Sequence, residues 1–259
     1  MMDLRLSGKT AIVTGASRGI GLAVTRGLTG EGVRVIAAAR GGADELREAG
    51  AIAVITDLTS TDGPAAVAEA AAREFGRLDI LVNNVGAVRP RTGGFTSVTA
   101  QDWTATLAVN FLAAVHMTRL ALPLLTAGSG GSIVTISSVN AALPDPLVID
   151  YSAAKAALTS FCKALSKEAG PLGVRVNTVS PGPVATDLWL GGGGVAETIA
   201  GVAGGTPSAV AAAAVADTAT GRFTEPGEVA DLVLFLASSR AGNITGADFA
   251  IDGGMKTTL

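Results

Sequence analysis

The run KTAIVTGASRGIG, residues 9–21, joins a short apolar segment to a glycine-rich turn and the start of a helical pattern. Its first six residues are rich in β-branched side chains and predict a buried strand. Glycines after a strand let the backbone approach a pyrophosphate, and the helix N-terminus that follows offers N–H groups with partial positive charge. Gly15, Gly19 and Gly21 lack the commoner G-x-G-x-x-G spacing, and a glycine-rich turn alone is a weak signal. Its place after the first strand nevertheless predicts a dinucleotide phosphate site.

The alternation of strand and helix patterns continues to the end of the chain. Further strands are predicted at 33–39, 51–56, 79–82, 132–137, 174–179 and 247–251, and helices at 64–75, 101–125, 152–169 and 228–238. This order indicates an α/β fold, a parallel sheet with helices on both faces. In such sheets ligands bind at the carboxyl ends of the strands. Several candidate residues follow predicted strands: Gly15, Arg40, Asp57, Asn84, Ser138 and Pro181.

Tyr151 is the only tyrosine of the chain, and Lys155 follows it four positions later in a run with helical periodicity. Positions i and i+4 of a helix lie on the same face, so the phenol and the ammonium share one small volume. A nearby cation favours the phenolate and lowers the phenol pKa from its ordinary value of about 10. Such a pair can serve as a general acid in one direction and a general base in the other. The spacing alone favours the alternative, a half-buried tyrosine beside a solvated lysine.

Composition excludes several classes of function. The 259 residues are 48% hydrophobic and 16% charged, which provides for a large core, and the net charge of −3 gives no basic field for nucleic acid or an anionic membrane. One cysteine, Cys162, excludes an internal disulfide and fits a reducing cytosol. No signal peptide or membrane-spanning run is visible, so we expect a cytoplasmic protein. The single histidine, His116, makes a metal site improbable and is interpreted as a packing residue.

The end of the second predicted strand bears on the choice between NAD and NADP. A site that prefers NAD is expected to carry Asp or Glu there for the 2′-hydroxyl. This chain has Ala39 and then Arg40, and Arg18 lies in the glycine-rich turn. Guanidinium groups suit a 2′-phosphate because they bind it bidentately. The sequence therefore predicts NADP(H) over NAD(H), the alternative being that both arginines are merely solvated.

The segment from Asp187 to Arg222 interrupts the alternation. It contains eight glycines, four of them in a row at 191–194, with helical pieces near 196–202 and 208–219. Long glycine-hinged segments beside a site often act as lids, and this one follows a strand end on the ligand side. We therefore expect a substrate lid at 187–222, the alternative being a loosely packed excursion. Trp189 and Phe223 either contact a substrate or anchor the segment to the core.

Taken together, these motifs resemble the short-chain dehydrogenase/reductase family, classical type, over nearly the whole chain. Residues 14–21 match the family's cofactor loop, and residues 83–86 resemble its Asn-Asn-Ala-Gly element, with Val85 in place of alanine. Tyr151 and Lys155 match the Tyr-x-x-x-Lys motif, and Ser138 precedes Tyr151 by thirteen residues, the family's usual spacing.

The resemblance implies one Rossmann-type doubly wound domain over 1–259, with about seven parallel strands, in a homo-oligomer, tetramer or dimer. It implies an oxidoreductase that transfers a hydride between NAD(P) and a ketone or secondary alcohol, a small-molecule substrate. It assigns catalytic roles to Asn110, Ser138, Tyr151 and Lys155. It assigns cofactor contacts to Gly15, Ser17, Arg18, Gly19, Ile20, Gly21, Arg40, Asp57, Leu58, Asn84, Gly86, Tyr151, Lys155, Pro181, Gly182, Val184 and Thr186.

Two alternatives stay open beside the general oxidoreductase. A 3-oxoacyl-[acyl-carrier-protein] reductase would need a basic surface near the site for its acidic carrier, and Arg89 and Arg91 follow Gly86. A non-catalytic NADP-binding sensor would be expected to have lost part of the catalytic set. Here Asn110 and the other three members are all present, which favours an enzyme.

Overall fold

The computed structural model describes residues 3–128 and 130–257, so the ends of the predicted domain and Ser129 lie outside the described part. A seven-stranded sheet forms its centre, in the order β3-β2-β1-β4-β5-β6-β7, and all neighbouring strands run parallel. The strands are β1 (Thr10–Thr14), β2 (Arg34–Ala39), β3 (Ile52–Ile55), β4 (Ile80–Asn83), β5 (Gly131–Ile136), β6 (Val174–Pro181) and β7 (Asp248–Ile251). The predicted Rossmann-type sheet is confirmed. The strand order reverses between β1 and β4, which is where such sheets bind ligands.

Helices cover both faces of the sheet. They are α1 (Gly19–Gly30), α2 (Ala43–Glu48), α3 (Gly63–Phe75), α4 (Ala100–Leu107), α5 (Ala113–Thr126), α6 (Ile149–Ala169), α7 (Asp187–Leu190), α8 (Val195–Ala203), α9 (Pro207–Ala216) and α10 (Pro226–Ala237). Successive strand residues point to opposite faces. On β1, Ala11 and Val13 therefore pack with the α1 and α10 side chains, whereas Ile12 packs with α3, α5 and α6.

The structure differs from the predicted elements in two informative places. Helix α2 is absent from the predicted set because its six residues bury only Leu46 and so leave little periodic signal. The helix predicted at 101–125 is continuous over Ala100–Thr126, but a π-helical segment, Ala108–Leu112, separates α4 from α5. An inserted wide turn shifts the following side chains around the helix without breaking its apolar pattern, so periodicity does not reveal it.

The Ala100–Thr126 helix, 27 residues with a hydropathy of 1.4, is long and apolar enough to pass a test for a membrane span. Met117, Ala121 and Leu125 on this helix are fully buried in the core beneath the sheet. Core helices of sheet proteins pass the same test, so its length and composition are weak evidence for a membrane. His116 lies off this buried stripe and is exposed, so its interpretation as a packing residue is wrong.

Candidate active site

The glycine-rich turn after β1 closes tightly because two of its glycines lack side chains. Gly15 and Gly19 have φ of +63° and +53°, a region that residues with a Cβ rarely adopt. A Cβ on Gly21 would lie 2.2 Å from the carbonyl oxygen of Gly15, so α1 can start only if this position is glycine. Arg18 gives α1 no side-chain cap. The N–H groups of the first turn of α1 therefore have no side-chain partner at the N-cap, and such a helix start can bind an anion.

Asn84 ties the end of β4 to this turn. Its Nδ2 donates hydrogen bonds to the carbonyl oxygens of Thr14 and Gly15, each at 3.0 Å. Its backbone N–H donates to Oγ1 of Thr14 at 2.9 Å. The Asn84 side chain therefore holds in place the glycine-rich turn that would contact a pyrophosphate.

A cavity of about 810 Å³ opens above the carboxyl ends of the strands. Its wall includes most of the residues that the sequence singles out: Gly15, Ser17, Arg18, Gly19, Ile20, Arg40, Asp57, Leu58, Asn84, Gly86, Ser138, Tyr151, Lys155, Pro181, Gly182, Val184 and Thr186. The structure describes all the predicted site residues. Two of them, Gly21 and Asn110, do not line the cavity. Both shape the cavity through neighbours, Gly21 through the turn and Asn110 through the loop after β4.

Charged side chains line one end of the cavity, beside the ends of β2 and β3. The Asp57 carboxylate accepts hydrogen bonds from the Thr59 N–H at 2.9 Å and from its hydroxyl at 2.8 Å. These bonds, and then the nearby charge of Arg40, lower the Asp57 pKa and keep it ionised. Arg18 and Arg40 are both exposed on this side of the cavity.

At the other end of the cavity, helix α6 brings Tyr151 and Lys155 together as the four-residue spacing predicts. The ammonium nitrogen of Lys155 lies 5.7 Å from the centre of the Tyr151 ring. Lys155 is buried, and its Nζ donates a hydrogen bond to the carbonyl oxygen of Ile136 at 2.8 Å. Ser138, just past β5, is also buried, and its Oγ accepts a hydrogen bond from the Asn140 N–H at 3.2 Å.

The electrostatics of this pair differ from the expectation based on spacing. Burial raises the Tyr151 pKa above its ordinary value, and the nearby Ser138 hydroxyl offsets only part of that rise. Burial also lowers the Lys155 pKa to about 8. The expected lowering of the phenol pKa by Lys155 is therefore wrong for this state of the protein, because loss of hydration outweighs the charge. A protonated phenol at neutral pH suits a proton donor.

Asn110 acts on the backbone of the loop after β4. Its Nδ2 donates to the Ala87 carbonyl at 2.8 Å, and its Oδ1 accepts from the Ala87 N–H at 3.0 Å. A Cβ on Gly86 would lie 3.0 Å from Oδ1 of Asn110 and 3.5 Å from Nζ of Lys155. Both side chains therefore face Gly86, and the π-helical segment that carries Asn110 turns its amide toward the loop.

An ion-pair cluster beside the site is absent from the sequence-based prediction. Nε of Arg91 lies 3.1 Å from Oδ2 of Asp150, and its Nη1 lies 2.9 Å from Oδ1 of Asp102. The Arg91 side chain is only 10% exposed. Its assignment to a surface for an acidic carrier protein is therefore wrong. The signal that was available is Asp150 itself, a carboxylate directly before Tyr151 at the start of an apolar helix.

We expect the buried Lys155 ammonium to make stability depend on pH. Its pKa is about 8 in the folded chain against an ordinary 10.5, so between these values the unfolded chain binds more protons. Stability therefore rises with pH in this window, by on the order of 1 kcal/mol for each pH unit. The measurement is urea unfolding of the wild type and of Lys155→Met at several pH values. The wild type should gain on the variant as pH rises, and a constant difference would contradict the assignment.

Comparisons with known proteins agree with this geometry. Residues 9–190 match the family model of the short chain dehydrogenases. An uncharacterized oxidoreductase of Methylorubrum extorquens is 38% identical over 97% of this chain and 99% of its own. D-threitol dehydrogenase of Mycolicibacterium smegmatis is 36% identical over 97% and 94%. The structure of L-sorbose reductase from Gluconobacter frateurii, complexed with NADPH and L-sorbose, superposes with a TM-score of 0.92 at 33% identity, covering 100% of both chains. The chain therefore belongs to the short-chain dehydrogenase/reductase family, oxidoreductases that use a nicotinamide cofactor on alcohols and ketones.

Proposed function

We propose that this protein transfers a hydride reversibly between NADP(H) and a ketone or secondary alcohol, with Tyr151 as the proton donor and acceptor. The observation that carries the proposal is the shared cavity. One wall holds the glycine turn and the helix N-terminus of an anion site, and another holds a half-buried phenol beside a buried ammonium. A pyrophosphate seated on the first would bring a nicotinamide within the same cavity as the second.

In the direction of reduction, Tyr151 would donate its proton to the substrate oxygen as negative charge develops there. The Ser138 hydroxyl would hydrogen-bond the same oxygen. Its Oγ now lies 3.3 Å from Oδ1 of Asn140, a long hydrogen bond that a substrate oxygen can replace. A bound nicotinamide would supply the hydride, which the protein itself cannot do.

Lys155 and Asn110 would support this proton transfer. Lys155 would hold the nicotinamide ribose with its ammonium, which reaches the cavity wall. Asn110 would connect Lys155 to solvent through water, since both side chains face Gly86. After each turnover, a proton from solvent would return to the Tyr151 hydroxyl along this path.

The preference for NADP rests on the end of β2. Arg40 follows the strand in the position where a carboxylate would bind a ribose 2′-hydroxyl, and Arg18 lines the cavity too. We expect Arg40→Ala to lower kcat/KM for NADPH about 10- to 100-fold relative to that for NADH, the value of one charged hydrogen-bonded contact. Arg47→Ala on α2 is the control, because Arg47 pairs with Asp44 at the surface. A wild type that uses both cofactors equally, or prefers NADH, contradicts the proposal.

We also propose that the chain forms a single catalytic domain. Within it, residues 187–222 form a lid over the cavity. The two ends of the segment are joined, because Val184 and Thr224 pair in a short bridge and the Ala185 N–H donates to the Thr224 carbonyl at 2.9 Å. Between these ends α7, α8 and α9 contribute Leu188, Trp189, Val195, Ile199 and Ala214 to the cavity wall. Trp189 also packs edge-on against Phe223 at 5.8 Å, so it both faces the cavity and anchors the segment.

Assembly into a homo-oligomer, a tetramer or a dimer, is part of the proposal. Leu112 and Leu120 are 40% and 38% exposed on the outer side of the long helix. Exposed leucines on a helix that already packs its other side against the sheet suit a subunit interface.

The experiment that tests the reaction is a substrate screen with both cofactors. NADPH oxidation is followed with a panel of simple ketones, keto sugars and 3-oxoacyl thioesters, and NADP⁺ reduction with the matching alcohols. Arg91 is paired with Asp102 and Asp150, so only Arg89 remains of the two arginines proposed to bind a carrier protein. We therefore expect a higher kcat/KM for free ketones than for carrier-linked thioesters. Folded protein that binds NADPH and turns over none of these compounds would refute the proposed function.

A further inference from the structure

The cluster around Asp150 lies directly behind the proposed proton donor. Asp150 precedes Tyr151 in the first turn of α6, and its side chain is 1% exposed. Arg91 contacts it through both Nε and Nη2, and Thr106 donates its hydroxyl to Oδ2 at 2.7 Å. A buried ion pair is a poor source of stability, because apolar residues of similar volume often stabilise a protein as well or better. The position of this pair therefore invites a functional explanation.

The cluster holds the start of α6 from outside the helix. Val148, at the N-cap of α6, makes no side-chain cap hydrogen bond. The first turn of the helix is instead held through the Asp150 carboxylate by Arg91. The Arg91 N–H also donates to the Leu147 carbonyl at 2.6 Å, which fixes the chain just before the helix. The turn that carries Tyr151 is thus held by an arginine 59 positions earlier in the chain.

The same cluster reaches the other catalytic candidates. Thr106 lies on α4, one turn before Asn110, and its carbonyl accepts a hydrogen bond from Nδ2 of Asn110 at 3.1 Å. Arg91 lies in the loop whose Ala87 is bound by that same amide. Two contiguous sets of contacts therefore run from Tyr151 through Asp150 to Asn110, one by way of Thr106 and one by way of the Arg91 loop.

The cluster is ionised at neutral pH. Burial pushes the Asp150 pKa upward, but the hydrogen bonds from Arg91 and Thr106 outweigh it, and the net direction is down. The hydrogen bonds to Asp150 and then to Asp102 raise the Arg91 pKa. Asp102, the third member, has a pKa of about 2, lowered first by its hydrogen bonds with Thr99 and then by Arg91. The charges that hold the turn in place therefore persist over the pH range in which the enzyme would work.

We propose that Arg91 and Asp150 are positioning residues, which hold the turn that carries Tyr151 against the Asn110 loop and so fix the phenol relative to the substrate oxygen. This inference rests on the proposed function, since it names the device that orients its proton donor. Reacting groups displaced by about 1 Å can lose roughly 10² in rate, so a small shift of this turn is enough.

The test compares Asp150→Asn with the apolar double variant Arg91→Met/Asp150→Leu, using a carbonyl compound that the wild type reduces. Asp150→Asn should lower kcat about 10- to 100-fold, with the Kd for NADPH changed less than twofold, because the glycine turn that would hold the phosphates lies on another wall of the cavity. The double variant should regain the Tm lost in Asp150→Asn, since it leaves no unpaired buried charge, but should keep the low kcat. Deuterated NADPH should show a larger isotope effect on kcat in both variants.

Two outcomes overturn the inference. A double variant that regains both Tm and kcat would mean that the cluster acts on stability alone, and an unchanged kcat in Asp150→Asn would mean that it has no role in turnover. If Asp150→Asn does not fold, Thr106→Val removes the 2.7 Å bond to Asp150 and the long 3.4 Å bond from Arg91, and an unchanged kcat there overturns the inference as well. Asp44→Asn is the control for a surface pair. A wild type that is inactive on every compound would refute the proposed function. Variants that are active with an unchanged kcat would refute only the positioning role of Arg91 and Asp150.

Discussion

Tyr151→Phe is expected to lower kcat by about 10³- to 10⁴-fold and to leave the Kd for NADPH within about twofold. The change removes the proton that Tyr151 would place on a substrate oxygen, and it keeps the ring that packs 5.7 Å from the Lys155 ammonium. Steady-state NADPH oxidation measures the first quantity and quenching of tryptophan fluorescence the second. Turnover near that of the wild type would show that another group supplies the proton.

Because Tyr151 is the only tyrosine, the same variant also serves as a spectroscopic blank. The difference in absorbance between the wild type and Tyr151→Phe, followed with pH, reports the ionisation of this phenol alone. The pKa should lie above the ordinary value of 10.0 in the folded protein, because burial raises it. Unfolding in urea should return it to that value. A folded-state pKa below 10.0 would show that the Lys155 charge, not burial, dominates at this position.

The parts of the fold and site that sequence predicts are those set by local chemistry. β1, the glycine turn and α1 are contiguous, and the positive φ of Gly15 follows from the turn that the spacing requires. Placing residues at the carboxyl ends of parallel strands also needs no coordinates, since that edge is where such sheets bind ligands. Ser138 and Asn84 line one cavity for this reason, although they come from different strands.

What sequence does not predict depends on contacts between distant residues or on burial. The i,i+4 spacing brings Tyr151 and Lys155 together. It does not show how much hydration the two groups lose when they are buried, and this loss determines the direction of both pKa shifts. The predicted lowering of the Tyr151 pKa is therefore wrong. Arg91 and Asp150 are 59 residues apart, and nothing in either local pattern pairs them.

Ser138→Ala should lower kcat by about 10²- to 10³-fold, the usual cost of removing one donor to a developing oxyanion. The Ser138 hydroxyl is the group beside Tyr151 that can share the negative charge, and its Oγ is held in place by the Asn140 N–H at 3.2 Å. The loss should appear mostly in kcat, since the bond strengthens as charge develops, and KM for the carbonyl compound should change less.

The same substitution at Ser132, also on β5, is the matched control. The Ser132 hydroxyl donates to the Leu236 carbonyl at 3.1 Å, at the opposite end of the strand from the cavity. Ser132→Ala should therefore affect Tm and not kcat. Ser138→Ala should also raise the Tyr151 pKa further in the absorbance titration, because the Ser138 hydroxyl now offsets part of the rise caused by burial. If Ser138→Ala lowers kcat less than tenfold and leaves that titration unchanged, Ser138 does not act on the reacting oxygen, and its contact with Asn140 is purely structural.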